Sequence, residues 1–137
     1  MDIRNNMLPV LRPAGGQEEI DALTEVIKSG WWGKGPKVDE FEEKFAAMVG
    51  HKYAVAVTSN SHGQDLVMKA LGFKEIDVIN PTISFIATAM IPLWNNFTTN
   101  IVDVDKDTLC IDPEDVKRYK KPNSELLIAV NEAGVTA

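Results

Sequence analysis

A short run of small and polar residues, Ser59 to Gly63, is the segment of this sequence best suited to binding an anion. It follows the β-rich run Tyr53 to Thr58 and precedes apolar residues at helical spacing. A helix start presents unpaired backbone N–H groups and the positive end of the helix dipole, so it can hold a phosphate without a lysine. A small hydroxyl side chain such as Ser61 adds a donor. The alternative is that Ser59 or Ser61 only caps the helix, which is routine.

The other reactive side chains form no catalytic or metal-binding pattern. Cys110 is the only cysteine, so it has no partner for an internal disulfide or a cysteine metal site, and a reducing cytoplasm is the expected location. Asp103 and Asp105 lie at the end of a predicted strand, where solvated carboxylates are the simpler interpretation. We therefore predict no metal site and assign no catalytic residue.

The elements that must position this segment alternate between strands and helices. Apolar spacing predicts helices at 17–29, 38–49 and 62–72, with further helical segments at 85–94 and 113–119. Short apolar runs predict strands at 53–58, 77–80, 99–104 and 126–130. Such alternation is typical of βαβ units with a largely parallel sheet, and the expected fold class is α/β. We expect one domain over residues 1–137, with an arm at 1–16, a helical segment at 17–50 and βα units at 51–137.

Composition excludes several classes of function. The chain has 137 residues, is 45% hydrophobic and 25% charged, and has a net charge of −6, with acidic and basic residues interspersed. A nucleic-acid surface would require a basic stripe, so no nucleic-acid partner is expected. Met1 to Pro9 contains no apolar run of the kind found in a secretory signal, and the apolar stretch Phe85 to Trp94 is too short to span a bilayer.

Several motifs, in order and at matching spacing, resemble the DegT–StrS family of pyridoxal-phosphate enzymes, which aminate nucleotide-linked keto-sugars. The resemblance covers nearly the whole chain. It is carried by Ser29-Gly30-Trp31 with Gly35-Pro36, Glu40-Phe41-Glu42 with Phe45-Ala46, Ala54 to Val57, Ser59-Asn60-Ser61, VINPTISFIATAM from Val78 to Met90, and IVDVDKDTLCIDPE from Ile101 to Glu114. Within the phosphate turn, Asn60 replaces the family's glycine. Polar Gln64 and Asp65 replace a mostly apolar pair.

The resemblance implies a cofactor site for pyridoxal phosphate. Backbone amides at Ser61 and His62 would hold the cofactor phosphate, and the Ser61 hydroxyl would add a hydrogen bond. Phe85 matches the aromatic residue that stacks on the pyridine ring, because a flat apolar face suits a flat conjugated ring. The alternative for Phe85 is a core residue of a helix packed on the sheet.

The resemblance also implies a fold, of which this chain would form the N-terminal third. The family's large domain is a three-layer α/β/α unit with a mainly parallel seven-stranded sheet, and this chain would supply strands 1 to 4. The lysine that forms the Schiff base and the aspartate that pairs with the pyridinium nitrogen are expected beyond Ala137. The chain alone is therefore expected to be inactive.

Without the remaining strands of the family's sheet, strands 1 and 4 would have edges whose backbone N–H and C=O groups are unpaired. We expect a homodimer, or a separate C-terminal polypeptide, to bind through these edges and through the loop at Trp31-Trp32. Three interpretations stay open: one part of a split aminotransferase of sugar and cell-surface polysaccharide biosynthesis, a non-catalytic remnant, and an interaction module that docks on a full-length relative.

Overall fold

The computed structural model describes residues 12–137, so the first eleven residues of the predicted N-terminal arm lie outside the described part. The chain divides into two compact units, one up to Ala56 and one from Val57 onward. None of the helices in residues 12–137 is long and apolar enough to cross a membrane.

The first unit contains helix α1 (Gln17–Ser29) and helix α2 (Pro36–Met48). Before α1, the Gly16 N–H donates to Glu19 Oε2 at 2.6 Å, which satisfies one of the free amides of the helix start. The helix ends at Gly30, whose φ of 69° is the left-handed conformation that glycine adopts without strain. Proline at the first position of α2 costs no hydrogen bond, because that amide has no partner inside the helix.

A tryptophan loop, residues 30–35, joins the two helices. The Trp31 indole N–H donates to the Lys34 carbonyl at 2.8 Å, and the Trp32 indole N–H donates to the Ile27 carbonyl at 3.3 Å. A side chain at Gly35 would place its Cβ 1.9 Å from Trp31 Nε1, so only glycine allows the indole to lie against the backbone there. Loop and helix ends enclose a groove of about 440 Å³.

The second unit is an α/β unit with a three-stranded parallel sheet. Its elements are α3 (Asn60–Leu71), β1 (Asp77–Pro81), α4 (Ala87–Trp94), β2 (Thr98–Val102), α5 (Pro113–Tyr119), β3 (Ser124–Leu127) and a 3₁₀ turn (Glu132–Gly134). β1 lies in the centre, with β2 on one side and β3 on the other, and both pairings are parallel. The expected class, α/β with a parallel sheet, is confirmed.

Apolar side chains cover both faces of this sheet. Val78 of β1 faces a cluster formed with α3 and α4, whereas Ile79, the next residue, faces a cluster that includes Val116 of α5. This alternation is the two-residue period of a β-strand buried on both faces. The sheet therefore lies between helical layers, and its carboxyl ends are directed toward the loops that follow Pro81 and Leu127.

The strand predicted at 53–58 is wrong in this structure, because residues 53–58 belong to no strand. Tyr53 and Val55 are 74% and 67% exposed. A strand requires a neighbour for its backbone hydrogen bonds, and this segment has none in the described part of the chain. The sheet therefore has three of the four expected strands. Smaller differences concern strand ends: β2 stops at Val102, and β3 begins at Ser124.

Candidate functional site

The start of α3 is capped by Ser59. The Ser59 side chain accepts a hydrogen bond from the His62 backbone N–H at 3.2 Å, and the Ser59 carbonyl accepts one from the Gly63 N–H at 3.0 Å. The capping alternative therefore holds for Ser59, whereas the Ser61 side chain makes no capping bond within the described residues. The His62 amide, one of the two expected to hold a phosphate, is engaged by the cap.

Two backbone amides at this helix start remain available. Among the described residues, the N–H groups of Asn60 and Ser61 have no protein acceptor, and the Ser61 hydroxyl has no partner either. Three donors thus lie within two consecutive residues at the positive end of a 12-residue helix. Such a cluster is chemically suited to the oxygens of a phosphate.

These donors border a cleft of about 520 Å³ in the second unit. Three segments form its walls: the start of α3, the loop before α4 together with the first turn of α4, and the residues after β3. The lining residues are Asn60, Ser61, Gln64, Ser84, Phe85, Ala87, Thr88, Ile128, Ala129, Val130 and Asn131. The cleft lies where the chain leaves the carboxyl ends of parallel strands, which is where α/β proteins bind ligands.

Phe85 is 76% exposed and precedes α4, which begins at Ala87. The alternative that it is a core residue is wrong, because a core side chain would be buried. Its ring instead borders the same cleft as Ser61. The structure therefore brings two of the three predicted cofactor residues together.

His62 does not line this cleft. Its ring Nδ1 is hydrogen-bonded to the Thr58 hydroxyl and lies 3.4 Å from the Ser59 hydroxyl. The imidazole is therefore turned back toward the segment that precedes α3. Its predicted role in phosphate binding would rest on the backbone amide, which a ligand would have to share with Ser59.

The residues present fit pyridoxal phosphate in part. Free donors suit its phosphate, and the exposed face of Phe85 suits its ring. No lysine is among the described residues that line the cleft, so the side chains there cannot supply a primary amine. The described residues also contain no group of three metal-binding side chains.

Sequence reasoning missed a second polar cluster, at the opposite end of β1. Asp77 is fully buried, and its carboxylate accepts hydrogen bonds from Lys121 Nζ and Ser124 Oγ at 2.7 Å each. Thr98 Oγ1 and Asn100 Nδ2 donate at 2.8 and 3.1 Å. Burial alone would raise the pKa of Asp77, but these four hydrogen bonds lower it to about 2. An aspartate directly before the apolar pair Val78-Ile79 of a predicted strand was the available signal.

The fold and the cleft define the chain's class: a parallel α/β unit with a donor-rich helix start and an exposed aromatic ring at the carboxyl ends of its strands. Residues 13–137 match the DegT/DnrJ/EryC1/StrS aminotransferase family, and the chain belongs to this family. It is 40% identical over 132 residues to the spore coat polysaccharide biosynthesis protein SpsC of Bacillus subtilis (strain 168); this alignment covers 96% of this chain and 34% of that protein.

Solved structures show the same similarity. S. venezuelae DesV, in complex with a ketimine intermediate, is 29% identical with a TM-score of 0.82, covering 88% of this chain and 33% of that one. E. coli GDP-4-keto-6-deoxy-D-mannose-3-dehydratase with bound hydrated PLP is 29% identical with a TM-score of 0.84, covering 90% and 33%. The chain thus spans about a third of the length of the relatives it matches. The family consists of enzymes that depend on pyridoxal phosphate.

Proposed function

We propose that this chain forms the phosphate- and ring-binding part of a pyridoxal-phosphate-dependent sugar aminotransferase. The observation that carries the proposal is the cleft that brings the free donors of Asn60 and Ser61 together with the exposed ring of Phe85. The identity of the cofactor is inferred from the family to which the chain belongs. By the same reasoning, the substrate is a nucleotide-linked keto-sugar and the amino donor is an amino acid, with the reaction in the cytoplasm.

When bound, pyridoxal phosphate supplies an electron sink that stabilises a carbanion next to the substrate nitrogen. This chain's residues bind and orient the cofactor. The amides at the start of α3 fix the phosphate, and Phe85 fixes the plane of the ring. Neither role moves a proton, and none of the described residues that border the cleft is a lysine. The Schiff-base lysine and the partner of the pyridinium nitrogen would come from the portion of the relatives that this chain does not match.

This proposal includes a partner. The unmatched two thirds of the relatives' length would be contributed by a separate polypeptide or by further residues of a longer chain, which would cover the free edge of β3. A homodimer is the second arrangement we propose. A specific observation favours an interaction module as the second candidate function: the tryptophan loop encloses an apolar groove of about 440 Å³ in the first unit.

The proposal is tested by titrating the chain with pyridoxal phosphate and with pyridoxal, which lacks the phosphate. We expect pyridoxal phosphate to bind more tightly. Ser61→Ala should weaken its binding by about tenfold to a hundredfold, because a hydrogen bond to a charged group contributes about 1.5–3 kcal/mol and each 1.4 kcal/mol is a factor of about ten. Ser61→Asp should abolish phosphate-dependent binding, while the helix start is stabilised by its new negative charge.

Phe85→Ala should weaken both ligands to the same extent, because the ring contact does not involve the phosphate. Equal affinity of the unaltered chain for pyridoxal and pyridoxal phosphate would show that the α3 start is not a phosphate site. A Ser61→Asp variant that retains full affinity would lead to the same conclusion.

A further inference from the structure

The groove beside the tryptophan loop lies at the carboxyl end of α1. Trp31 and Trp32 are largely exposed, and the lining includes the apolar side chains of Val26, Pro36 and Val38. Both indole N–H groups already donate to backbone carbonyls of the first unit. The faces of the two rings are therefore an apolar surface that calls for an apolar occupant.

The size of the groove restricts what can occupy it. Its volume is about 440 Å³. One turn of a helix about 11 Å wide, with a pitch of about 5.4 Å, already takes up about 500 Å³. Strands lie about 4.8 Å apart, sheets about 10 Å apart and residues about 3.3 Å along a strand, so an extended residue takes up about 160 Å³. The groove therefore has room for roughly three residues of one extended segment.

The N-terminal arm of this chain carries a segment of matching chemistry. Five consecutive apolar residues run from Met7 to Leu11, with Pro9 at their centre. They lie outside the described part of the chain and precede residues 13–137, which match the family. Proline fixes its own φ and disfavours the helical region for the residue before it, so the sequence favours an extended backbone here. Aromatic-lined grooves recognise such segments because little conformational entropy is lost on binding.

The length of the arm matches the distance to the groove. α1 has 13 residues, and at 1.5 Å per residue it is about 20 Å long. An extended chain advances about 3.3 Å per residue, so about six residues that run back from Gly16 cover the length of α1. That count ends at Val10, within the apolar segment.

The arm must reverse its direction before α1 in order to run along this helix. Gly15 and Gly16 lie where that reversal is required, and glycine adopts backbone angles that other residues do not. No atom lies within 4 Å of a Cβ built at Gly15, and only Glu19 Oε2, at 3.8 Å, lies near one built at Gly16. Close packing among the described residues therefore does not explain this glycine pair, whereas a reversal of the backbone does.

We infer that residues 9–11 of the chain's own arm occupy the groove beside Trp31 and Trp32, with the arm antiparallel to α1. This inference goes beyond the proposed function, because it concerns the first unit and involves no cofactor. A partner that uses the same groove would have to displace the arm.

A spin label on the arm of the full chain tests the inference by NMR. The label is attached at Asn6→Cys in a Cys110→Ala background, which leaves one thiol for the reaction. With the label active, the indole N–H resonances of Trp31 and Trp32 should lose most of their intensity. Reducing the label should restore both resonances.

Two further variants of the labelled chain show whether the apolar segment is responsible. Replacing Val10 and Leu11 by glutamine should abolish the loss of intensity, because amide side chains would be desolvated in the groove without a partner. Asn5→Gln keeps a polar residue in the same arm and should leave the loss unchanged. A thermal melt of each variant should give the same midpoint, which separates release of the arm from loss of the fold.

A mixed sample distinguishes the chain's own arm from that of a second copy. A ¹⁵N-labelled chain without spin label is combined with a spin-labelled chain without ¹⁵N, and the indole resonances should keep their full intensity. Loss of intensity in this mixture would assign the groove to the arm of another copy and overturn the inference. Full intensity in the singly labelled chain, or a loss that persists after replacement of Val10 and Leu11, would overturn it as well. None of these samples contains pyridoxal phosphate, so the outcome leaves the proposed function to its own test.

Discussion

Asp77 shows how one buried carboxylate joins three segments of the second unit. Its partners come from β2, from the loop between α5 and β3, and from the start of β3: Thr98, Asn100, Lys121 and Ser124. A buried charge is tolerated only when it is paired and hydrogen-bonded, and here both oxygens are engaged. The cluster lies at the amino end of the sheet, away from the cleft, so its role is to stabilise the fold.

The lowered pKa of Asp77 predicts a specific acid dependence of stability. Its pKa falls from 3.8 to about 2 on folding, so the ionised form stabilises the native state at pH values above 3.8. That contribution, roughly 2 kcal/mol, should be lost as the pH falls from 3.8 to 2. Asp77→Asn should lower the free energy of unfolding at neutral pH and remove most of this acid dependence.

Urea unfolding at a series of pH values measures this effect. The control is Glu125→Gln, which changes an exposed carboxylate of β3 that has no hydrogen-bond partner among the described residues. The control should retain the acid dependence of the unaltered chain. Identical pH profiles for Asp77→Asn and the unaltered chain would show that the acid dependence of stability does not come from Asp77.

At the scale of elements, the sequence was informative wherever the cause is local. Helices α1 and α5 were predicted at both ends because their boundaries depend on adjacent residues such as Gly30 and Pro113. The strand predicted at 53–58 was wrong because pairing depends on distant residues. The polar residues divide in the same way. The place of Ser61 at a helix start could be predicted from the adjacent turn, whereas the donors to Asp77 lie 21 to 47 residues further along the chain.

The tryptophan loop allows a matched pair of glycine substitutions. Gly35→Ala should displace the Trp31 indole and break its hydrogen bond to Lys34, because the new methyl group would overlap the ring. Gly33→Ala should have little effect, since no atom lies within 4 Å of a Cβ built there. The indole N–H resonance of Trp31 in NMR spectra reports the change. An unshifted resonance in Gly35→Ala would contradict this description of the loop.

At the scale of the whole molecule, the first unit has little core of its own. Ala46 is its buried hydrophobic residue among those described, while large apolar side chains of both helices and the loop are exposed. These are Ile20, Leu23, Ile27, Trp31, Trp32, Phe41, Phe45, Met48 and Val49. Apolar surface on this scale is typical of interaction sites or of surfaces that aggregate. The exposed apolar surface is consistent with a chain that spans about a third of its relatives' length.

We therefore expect the chain alone to self-associate as its concentration rises. Replacing Leu23 and Phe41, which are 62% and 55% exposed, by glutamine should reduce this association without lowering the unfolding midpoint by more than a few degrees. Tyr119→Gln, on the exposed side of α5, is the control and should leave association unchanged. Sedimentation velocity provides the measurement. A monomer at every concentration would contradict the expectation.

The central claim, that the start of α3 holds the phosphate of pyridoxal phosphate against the ring of Phe85, is tested most directly by NMR. A ¹⁵N-labelled chain is titrated with pyridoxal phosphate while the backbone amides and the aromatic protons are followed. The largest shifts should occur at the amides of Asn60 and Ser61 and at the Phe85 ring, and the amide shifts should disappear with pyridoxal. Shifts concentrated on the indoles of Trp31 and Trp32, with Asn60 and Ser61 unmoved, would contradict the claim.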